Sequence, residues 1–275
     1  MTVERSRHLP DFGAPPVTEV AVSLQFQQIS KFGVVDVGPL WEQFRDRFGR
    51  VEYHPPLAPT FETFGLPQGA MPPFLMNFGI LPLVPRCWFV DQGGAEVLQF
   101  QTDRLIHNWR KAEVNSIYPR YEHIRARFAD EMQCLQTFLD ERDFGPLLPN
   151  QCELTYINVV RLPEGVADQT SEVFANWRAI PTPVLGNFED VAFTCRFRIL
   201  DQAGEPIGRI IAQASPGLDA EGLPIIQLTL VGRGGPAAPS LEAALDFFDI
   251  ARERIVCGFA ELTTTKMHEI WKRRS

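Results

Sequence analysis

Side chains that form directional hydrogen bonds are concentrated between Leu98 and Glu122. The segment begins Leu-Gln-Phe-Gln-Thr-Asp-Arg, continues through Ile-His-Asn-Trp-Arg-Lys, and ends with Tyr-Pro-Arg-Tyr-Glu. Amide, guanidinium, imidazole and indole groups thus follow one another on a strand pattern that leads through a proline into a helix. Such groups can hold a ligand, so this segment is the first candidate for a functional site. It matches no cofactor or catalytic signature.

The residue types in this segment are compatible with two functions. In the leading interpretation it belongs to a non-enzymatic, regulatory module that binds a ligand or a protein partner. The candidate ligand-binding residues carry amide, charged or phenolic groups: Gln99, Gln101, Asp103, Arg104, Asn108, Arg110, Arg120 and Tyr121. An enzyme of an unrecognised type would instead need a histidine beside a carboxylate in a pocket. The candidates for that pair are His107, His123, Asp103, Glu19 and Glu153.

Basic and aromatic residues alternate across the same region, which suggests a third interpretation. Guanidinium groups between aromatic rings bind nucleotides and single-stranded nucleic acid. The residues concerned are Arg104, Trp109, Arg110, Lys111, Tyr118, Arg120, Tyr121, Arg125 and Arg127. The formal net charge of −8 disfavours a nucleic-acid partner, because a field of that sign repels phosphate.

The facing of these side chains depends on a predicted hairpin turn at Thr102-Asp103. A two-residue turn there pairs Phe100 with Leu105 and Leu98 with His107, and it places Trp109 on the same face. The side chains expected on the opposite face, open to a ligand or to the other half of the chain, are Gln99, Gln101, Arg104, Asn108 and Arg110. Asp103 itself, among several basic residues, is predicted to contact an arginine or a backbone amide.

The order of predicted elements repeats along the chain. In the first half, hydrophobic periodicity indicates a strand at 20–27, a helix behind Pro39, strands at 86–91, 96–101 and 104–110, and a helix from Pro119 to about Asp143. In the second half it indicates a strand at 154–162, a short helix at 168–177, strands at 191–200, 207–214 and 225–231, and a helix from Ser240 to about Arg273. We therefore predict an α+β fold of pseudo-duplicated β-α-β-β-β-α units, 1–147 and 148–275, with antiparallel sheets that each pack on a long helix.

Residues 55–85 interrupt the first predicted unit. Prolines recur there among aromatic and apolar residues, and they prevent a regular helix or strand ladder. A segment of this length is either functional or a cover over apolar surface, and we favour the cover.

Composition and cysteine spacing limit the remaining possibilities. Hydrophobic residues make up 45% of the chain and charged residues 22%, as in ordinary globular proteins. The five cysteines lack metal-ligand spacing and indicate reduced, buried thiols, so we predict neither a metal nor a cofactor. Gly232-Arg-Gly-Gly235 lacks the lysine of a phosphate loop and is interpreted as a connection to the last helix. Without a secretion signal or an apolar run of membrane-spanning length, the expected location is the cytoplasm, with no membrane partner.

Several motifs, taken together, resemble a known family. They are Pro15-Pro-x-x-Glu19, Leu98-Gln-x-Gln-x-Asp103-Arg104 followed by Asn108-Trp-Arg110, Tyr118-Pro-Arg-Tyr-Glu122, and Cys152-Glu-Leu-Thr-Tyr-Ile-Asn158. The set resembles a sporadically distributed family of uncharacterised bacterial proteins of about this length, clearly from Pro15 to about Val160 and loosely beyond. The resemblance implies a bacterial origin and a patchy distribution. It supports the importance of these residues and brings no activity or catalytic residue with it.

Overall fold

The computed structural model describes residues 9–65, 84–113, 116–161, 169–177, 184 and 190–275. The strands in this part of the chain are β1 (Val17–Phe26), β2 (Arg50–His54), β3 (Arg86–Val90), β4 (Glu96–Gln101), β5 (Arg104–Arg110), β6 (Pro149–Arg161), β7 (Phe193–Leu200), β8 (Pro206–Leu218) and β9 (Pro224–Gly234). The α-helices are α1 (Val37–Glu42), α2 (Tyr121–Glu141), α3 (Gln169–Val173), α4 (Leu241–Leu262) and α5 (Thr265–Ile270).

All of these strands belong to one antiparallel sheet. Their order across the sheet is β2-β3-β4-β5-β1-β6-β9-β8-β7. The first strand of each half of the chain therefore lies at the centre, where β1 pairs with β6, and each is flanked by the last strand of its own half. The predicted α+β class is confirmed. The sheet is continuous across both halves and is not divided between two units.

One face of the sheet is apolar and is covered by the two long helices. In β1 the buried residues Val20, Val22 and Leu24 alternate with the less buried Ala21 and Ser23, as a strand with one face in the core requires. Helix α2 contacts β5 and β1, and α4 contacts β6 and β9. Phe128 of α2 and Phe248 of α4 are fully buried and meet edge to face, with ring centroids 5.7 Å apart. Burial of each ring contributes about 1.5–3 kcal/mol, so this aromatic contact fixes the helices to one another.

Glycines in β9 allow α4 to approach the sheet closely. A Cβ atom added at Gly232 would lie 2.7 Å from the Cβ of Ala251, and one at Gly234 would lie 2.5 Å from Phe247 Cε2. Both distances are shorter than real side chains tolerate, so any larger residue would push the helix away. The glycine-rich segment before α4 thus serves the packing of helix on strand.

The predicted single helix from Ser240 to about Arg273 is wrong, because the helix is interrupted at Thr263. Ser240 caps α4 as expected, with its side chain accepting from the backbone of Ala243. Thr263 then adopts an extended conformation, forms a β-bridge with Phe174, and donates from Oγ1 to the Phe259 carbonyl at 2.7 Å. Thr264 caps a new helix, α5.

The β-bridge between Phe174 and Thr263 also explains why α3 ends at Val173 and does not continue to 177 as predicted.

Other predicted boundaries need smaller corrections. The sequence analysis missed β2, whose residues alternate weakly and pair only with β3 at the edge of the sheet. Helix α1 begins at Val37, two residues before Pro39, and ends at Glu42; Phe44 and Phe48, which follow it, are buried. Helix α2 starts at Tyr121, two residues after the proline at which it was predicted to begin.

The predicted hairpin register is confirmed. Phe100 pairs with Leu105 and Leu98 with His107, and Trp109 lies on the same, helix-covered face with 5% of its surface exposed. The polar side chains of β4 and β5 consequently lie on the other face of the sheet.

Candidate functional site

The polar face of the sheet holds most of the candidate residues in a network of side-chain hydrogen bonds that falls into two groups. Gln99 Nε2 donates to Asn108 Oδ1 at 2.7 Å, and Asn108 Nδ2 donates to Glu19 Oε1 at 2.6 Å. Arg104 Nη2 donates to Gln25 Oε1 at 2.8 Å. These contacts hold the side chains in place, so the candidate residues form part of the structure before any ligand is considered.

A short segment of the proline-rich region covers the group of this network that contains Arg104. We call residues 57–63 the strap. Arg104 Nη2 donates to the Ala58 carbonyl at 3.1 Å, and Arg104 and Asn108 are each only 8% exposed. The expectation that they lie on an open surface is therefore wrong. The strap covers Arg104, and Asn108 is buried against Gln99 and Glu19. Over residues 55–65 the expected cover is present, but it lies on polar and not on apolar surface; residues 66–83 of the same prediction lie outside the described residues.

Two other candidates occupy positions at the edge of this network. Asp103 accepts from Gln101 Nε2 at 2.8 Å and from its own backbone amide, so of the two predicted kinds of partner the backbone amide is present and a hydrogen-bonded arginine is not. Burial raises the pKa of Asp103, although Arg104, Gln101 and its own backbone amide each act to lower it. Arg110 lies at the end of β5, where its Nε donates to the Gly94 carbonyl at 2.7 Å.

Replacing Asp103 with asparagine is expected to leave the melting temperature at pH 7 unchanged or higher. Asparagine keeps an oxygen that can accept from Gln101 and removes a carboxylate whose charged form is disfavoured by burial. Because the pKa is raised in the folded state, the carboxylate destabilises the fold above that pKa and ceases to do so as the pH falls through it. Thermal unfolding of Asp103→Asn and the unmodified chain should therefore differ less at pH 4 than at pH 7. A variant that melts lower at pH 7 would contradict this expectation.

The histidines do not form the predicted acid–base pair with the carboxylates of the polar face. His107 is on the helix side, where its Nδ1 lies 3.0 Å from both carboxylate oxygens of Glu131. Arg47 Nη1 lies 2.9 Å from Glu131 Oε1 on the same buried cluster. His123 is exposed on α2 and accepts from Arg127. Glu153, across the sheet, pairs with Arg233.

Arg120 and Tyr121 line a cavity on the helix side of the sheet, away from the other candidates. Its volume is about 410 Å³, within the range of small-molecule sites. The described residues that line it are Leu9, Pro10, Asp11, Phe12, Pro15, Val17, Tyr118, Arg120, Tyr121, Glu122, Tyr156, Asn158, Leu230, Arg252, Ile255, Val256, Phe259 and Arg274. The walls therefore combine apolar and aromatic side chains with a few polar groups.

A pair of tyrosine hydroxyls forms the polar centre of the cavity. The oxygens of Tyr118 and Tyr156 are 3.0 Å apart. Burial raises the pKa of Tyr156 to about 12 and that of Tyr118 well above its ordinary value, so both phenols are protonated at neutral pH. Arg252 is close enough to lower both values in part, and its Nη2 donates to Glu122 Oε1 at 3.1 Å. The buried Nε of Arg252 has no hydrogen-bond partner in the described part of the chain.

Arg120 adopts a strained backbone conformation beside this cavity. Its φ of 75° and ψ of 154° fall in a region that residues other than glycine rarely occupy. The side chain holds it there, because Nη1 donates to Asp11 Oδ1 at 2.8 Å and Nη2 to the Phe12 carbonyl at 3.3 Å. Strain of this kind costs roughly 1–3 kcal/mol and is characteristic of binding sites. Here it sets the direction in which α2 begins.

The sequence analysis missed several residues of the cavity. Tyr156 and Asn158 belong to the Cys152–Asn158 motif, whose polar residues were a usable signal. Arg252 and Phe259 occur on an amphipathic helix, and nothing in their spacing distinguished them from other helix residues. The cavity unites segments that are distant in sequence, which a local pattern cannot reveal.

Comparison with known proteins identifies no relative. No family model, curated protein or solved structure matches this chain. The resemblance described above therefore stays a prediction. Within the described residues, no helix is long and apolar enough to cross a membrane. The same residues contain no group of three or more potential metal ligands.

Proposed function

We propose that this protein is a non-enzymatic module that binds a small molecule with an apolar body and an anionic or carbonyl head. The observation that carries the proposal is the 410 Å³ cavity, in which a tyrosine pair and Arg252 are set among apolar walls. A cytoplasmic location and a regulatory use of the bound ligand belong to the same proposal.

The charges around the cavity favour a negatively polarised ligand group. Among the lining residues that the structure describes, Arg120, Arg252 and Arg274 face two carboxylates. Asp11 pairs with Arg120 and Arg274, and Glu122 pairs with Arg252. The site therefore carries one positive charge in excess. Protonated phenols and guanidinium groups are hydrogen-bond donors, so the polar end of the ligand must be an acceptor.

The other two interpretations have less support from the geometry. His107 and Glu131 are each 1% exposed and neither is among the described residues that line the cavity, so a substrate has no described access to this pair. The basic residues proposed for nucleic acid are dispersed. Arg104 lies under the strap, and Arg125 forms a two-bond contact with Asp249 between the helices.

We expect 4-phenylbutyrate to raise the melting temperature, because its ring suits the apolar walls and its carboxylate suits the donors. The uncharged analogue 4-phenylbutan-1-ol should stabilise the protein less. Arg252→Ala should abolish the difference between the two compounds. Arg254→Ala is the matched control, since Arg254 is exposed on the same helix and does not line this cavity. Equal responses of Arg252→Ala and the unmodified chain, or no response to either compound, would refute the proposal.

The duplication of the two halves is a further part of this proposal. In the first half Glu19 of β1 is opposite Arg110 of β5, and in the second half Glu153 of β6 is opposite Arg233 of β9. The two pairs occupy related positions about the central β1–β6 contact, which is what a duplicated unit would produce. Superposing β5-β1 on β9-β6 should bring the Cα atoms of Glu19 and Glu153 together; a best fit that shifts the register would contradict it.

A further inference from the structure

We propose that the polar face of the sheet is a binding surface for an extended acidic peptide, and that the strap occupies this surface as an intramolecular ligand. The surface lies on the opposite side of the sheet from the cavity. The proposal is independent of the small-molecule site and can fail or succeed without it.

A continuous row of polar side chains crosses the centre of the sheet. Gln101 of β4 pairs with Arg104 of β5, Arg104 pairs with Gln25 of β1, and Gln25 pairs with Gln151 of β6. Direct cross-strand partners have side chains on the same face. These residues, which we call the amide row, therefore form a line perpendicular to the strands, and each is less than 9% exposed.

The strap crosses the strands along the amide row. Side chains of the row form hydrogen bonds with its backbone. Gln101 Oε1 accepts from the Leu57 amide at 2.8 Å, and Gln101 Nε2 donates to the Leu57 carbonyl at 2.9 Å. Arg104 contacts the next carbonyl along the strap, that of Ala58. Gln25 Oε1 accepts from the Thr60 amide at 3.0 Å, and Gln151 Oε1 accepts from the Glu62 amide at 3.4 Å.

These contacts identify the chemistry of the preferred ligand. Three glutamine oxygens accept hydrogen bonds from backbone N–H groups, which recur along a peptide and are missing from a sugar–phosphate backbone. Because the contacts are to the backbone, they place little demand on ligand sequence. An extended peptide fits this row better than single-stranded nucleic acid does.

An acidic side chain is required where the strap reaches the second half of the sheet. Arg233 of β9 and Arg209 of β8 are direct cross-strand partners. Glu62 forms ion pairs with both, and Arg209 Nη2 also donates to the Thr63 carbonyl at 3.1 Å. A partner peptide would therefore present a carboxylate at this position.

The strap is a ligand that can be exchanged. Phe61 is 54% exposed, and Ala58, Pro59, Thr60 and Thr63 are also exposed, so little apolar burial holds the segment. A single hydrogen bond contributes only about 0.5–1.5 kcal/mol net. The strap also leaves donors unused: Arg104 Nε and Gln151 Nε2 are buried without a partner in the described part of the chain. A ligand with better-placed acceptors would satisfy them.

The test uses the full chain and a labelled synthetic peptide of residues 55–65. Glu62→Lys in the protein reverses the charge that anchors the strap and should free the row. We expect this variant to bind the peptide at least about tenfold more tightly than the unmodified chain does, because the covalently attached strap competes at high effective concentration. Adding Gln25→Ala should weaken this binding about tenfold. Adding Gln27→Ala, an exposed glutamine just beyond β1, should not.

A modified peptide tests the backbone contact without altering the protein. N-methylation at the Thr60 position removes the hydrogen that Gln25 accepts and should weaken binding about tenfold, whereas N-methylation at Phe61 should be tolerated. Equal effects of the two methyl groups, or no binding of the unmodified peptide, would overturn the proposal. Tighter binding of a thymidine 12-mer than of the peptide would also overturn it, in favour of nucleic acid.

Should Glu62→Lys not fold, hydrogen exchange on single variants replaces it. Gln25→Ala should accelerate exchange of the Thr60 amide about tenfold relative to Gln27→Ala, as expected when one hydrogen bond of roughly 1.4 kcal/mol is lost. Equal exchange rates would show that the row does not hold the strap.

Discussion

Replacing Trp109 with alanine is expected to lower the free energy of unfolding by about 3–5 kcal/mol, as for other large aromatic residues removed from a core. Trp109 is 5% exposed on the helix-covered face, and its ring lies 5.3 Å from that of Tyr118. Removing the indole leaves a void that the neighbouring strands and helices cannot fill without moving. Urea unfolding followed by circular dichroism would measure the change.

Arg110→Ala is the matched control for this experiment. Arg110 is the next residue of β5, is partly exposed on the opposite face, and loses one contact to the Gly94 carbonyl. Its replacement should cost about 1 kcal/mol or less. A cost for Arg110→Ala equal to that of Trp109→Ala would mean that the two faces of the strand are equally buried, contrary to the structure.

Removing the Glu131 carboxylate is expected to destabilise the protein by about 3–5 kcal/mol, because it leaves the buried His107 without its partner and breaks an ion pair with Arg47. Glu131 and His107 are each 1% exposed, and the carboxylate of Glu131 also lies 2.9 Å from Arg47 Nη1. In Glu131→Ala the buried imidazole of His107 loses its acceptor and cannot be rehydrated without opening the core, whereas Arg47 keeps its contact with Glu96.

Asp140→Ala on the same helix provides the comparison. Asp140 is exposed and accepts from Gln136 one turn earlier, and surface contacts of this type contribute about 0.2–0.5 kcal/mol. Chemical denaturation of both variants should separate them clearly. If Glu131→Ala unfolds at the same denaturant concentration as Asp140→Ala, the buried cluster does not stabilise the fold.

Local patterns predicted the parts of the fold that depend on local geometry. The turn at Thr102-Asp103 fixed the pairing of Leu98 with His107, and that pairing placed Trp109 in the core. Strand periodicity is sufficient for such a prediction, because a shift of one residue would move every apolar side chain into solvent. The same register correctly predicted which side chains of β4 and β5 lie on the polar face of the sheet.

Features that depend on distant contacts could not be predicted. The break at Thr263 arises from a bridge to Phe174, and a helical pattern read along α4 contains no sign of it. Glu131 resembles any other helix carboxylate until β5 brings His107 against it. The strap was recognised as a cover, but the sequence does not show that glutamines from β4, β1 and β6 hold its backbone.

The central position of β1 and β6 has a consequence for the folding rate. Their register joins Glu19 to Ile157, residues separated by half of the chain, and this contact alone connects the two halves of the sheet. Closing so long a loop has a large entropic cost, which must be met before the contacts between β1 and β6 can stabilise the structure. Strand pairs that are this distant in sequence therefore form slowly. We infer that each half assembles its own hairpins first. During that interval the inner edges of β1 and β6 remain unpaired, and they are the positions at which two molecules could exchange halves or aggregate.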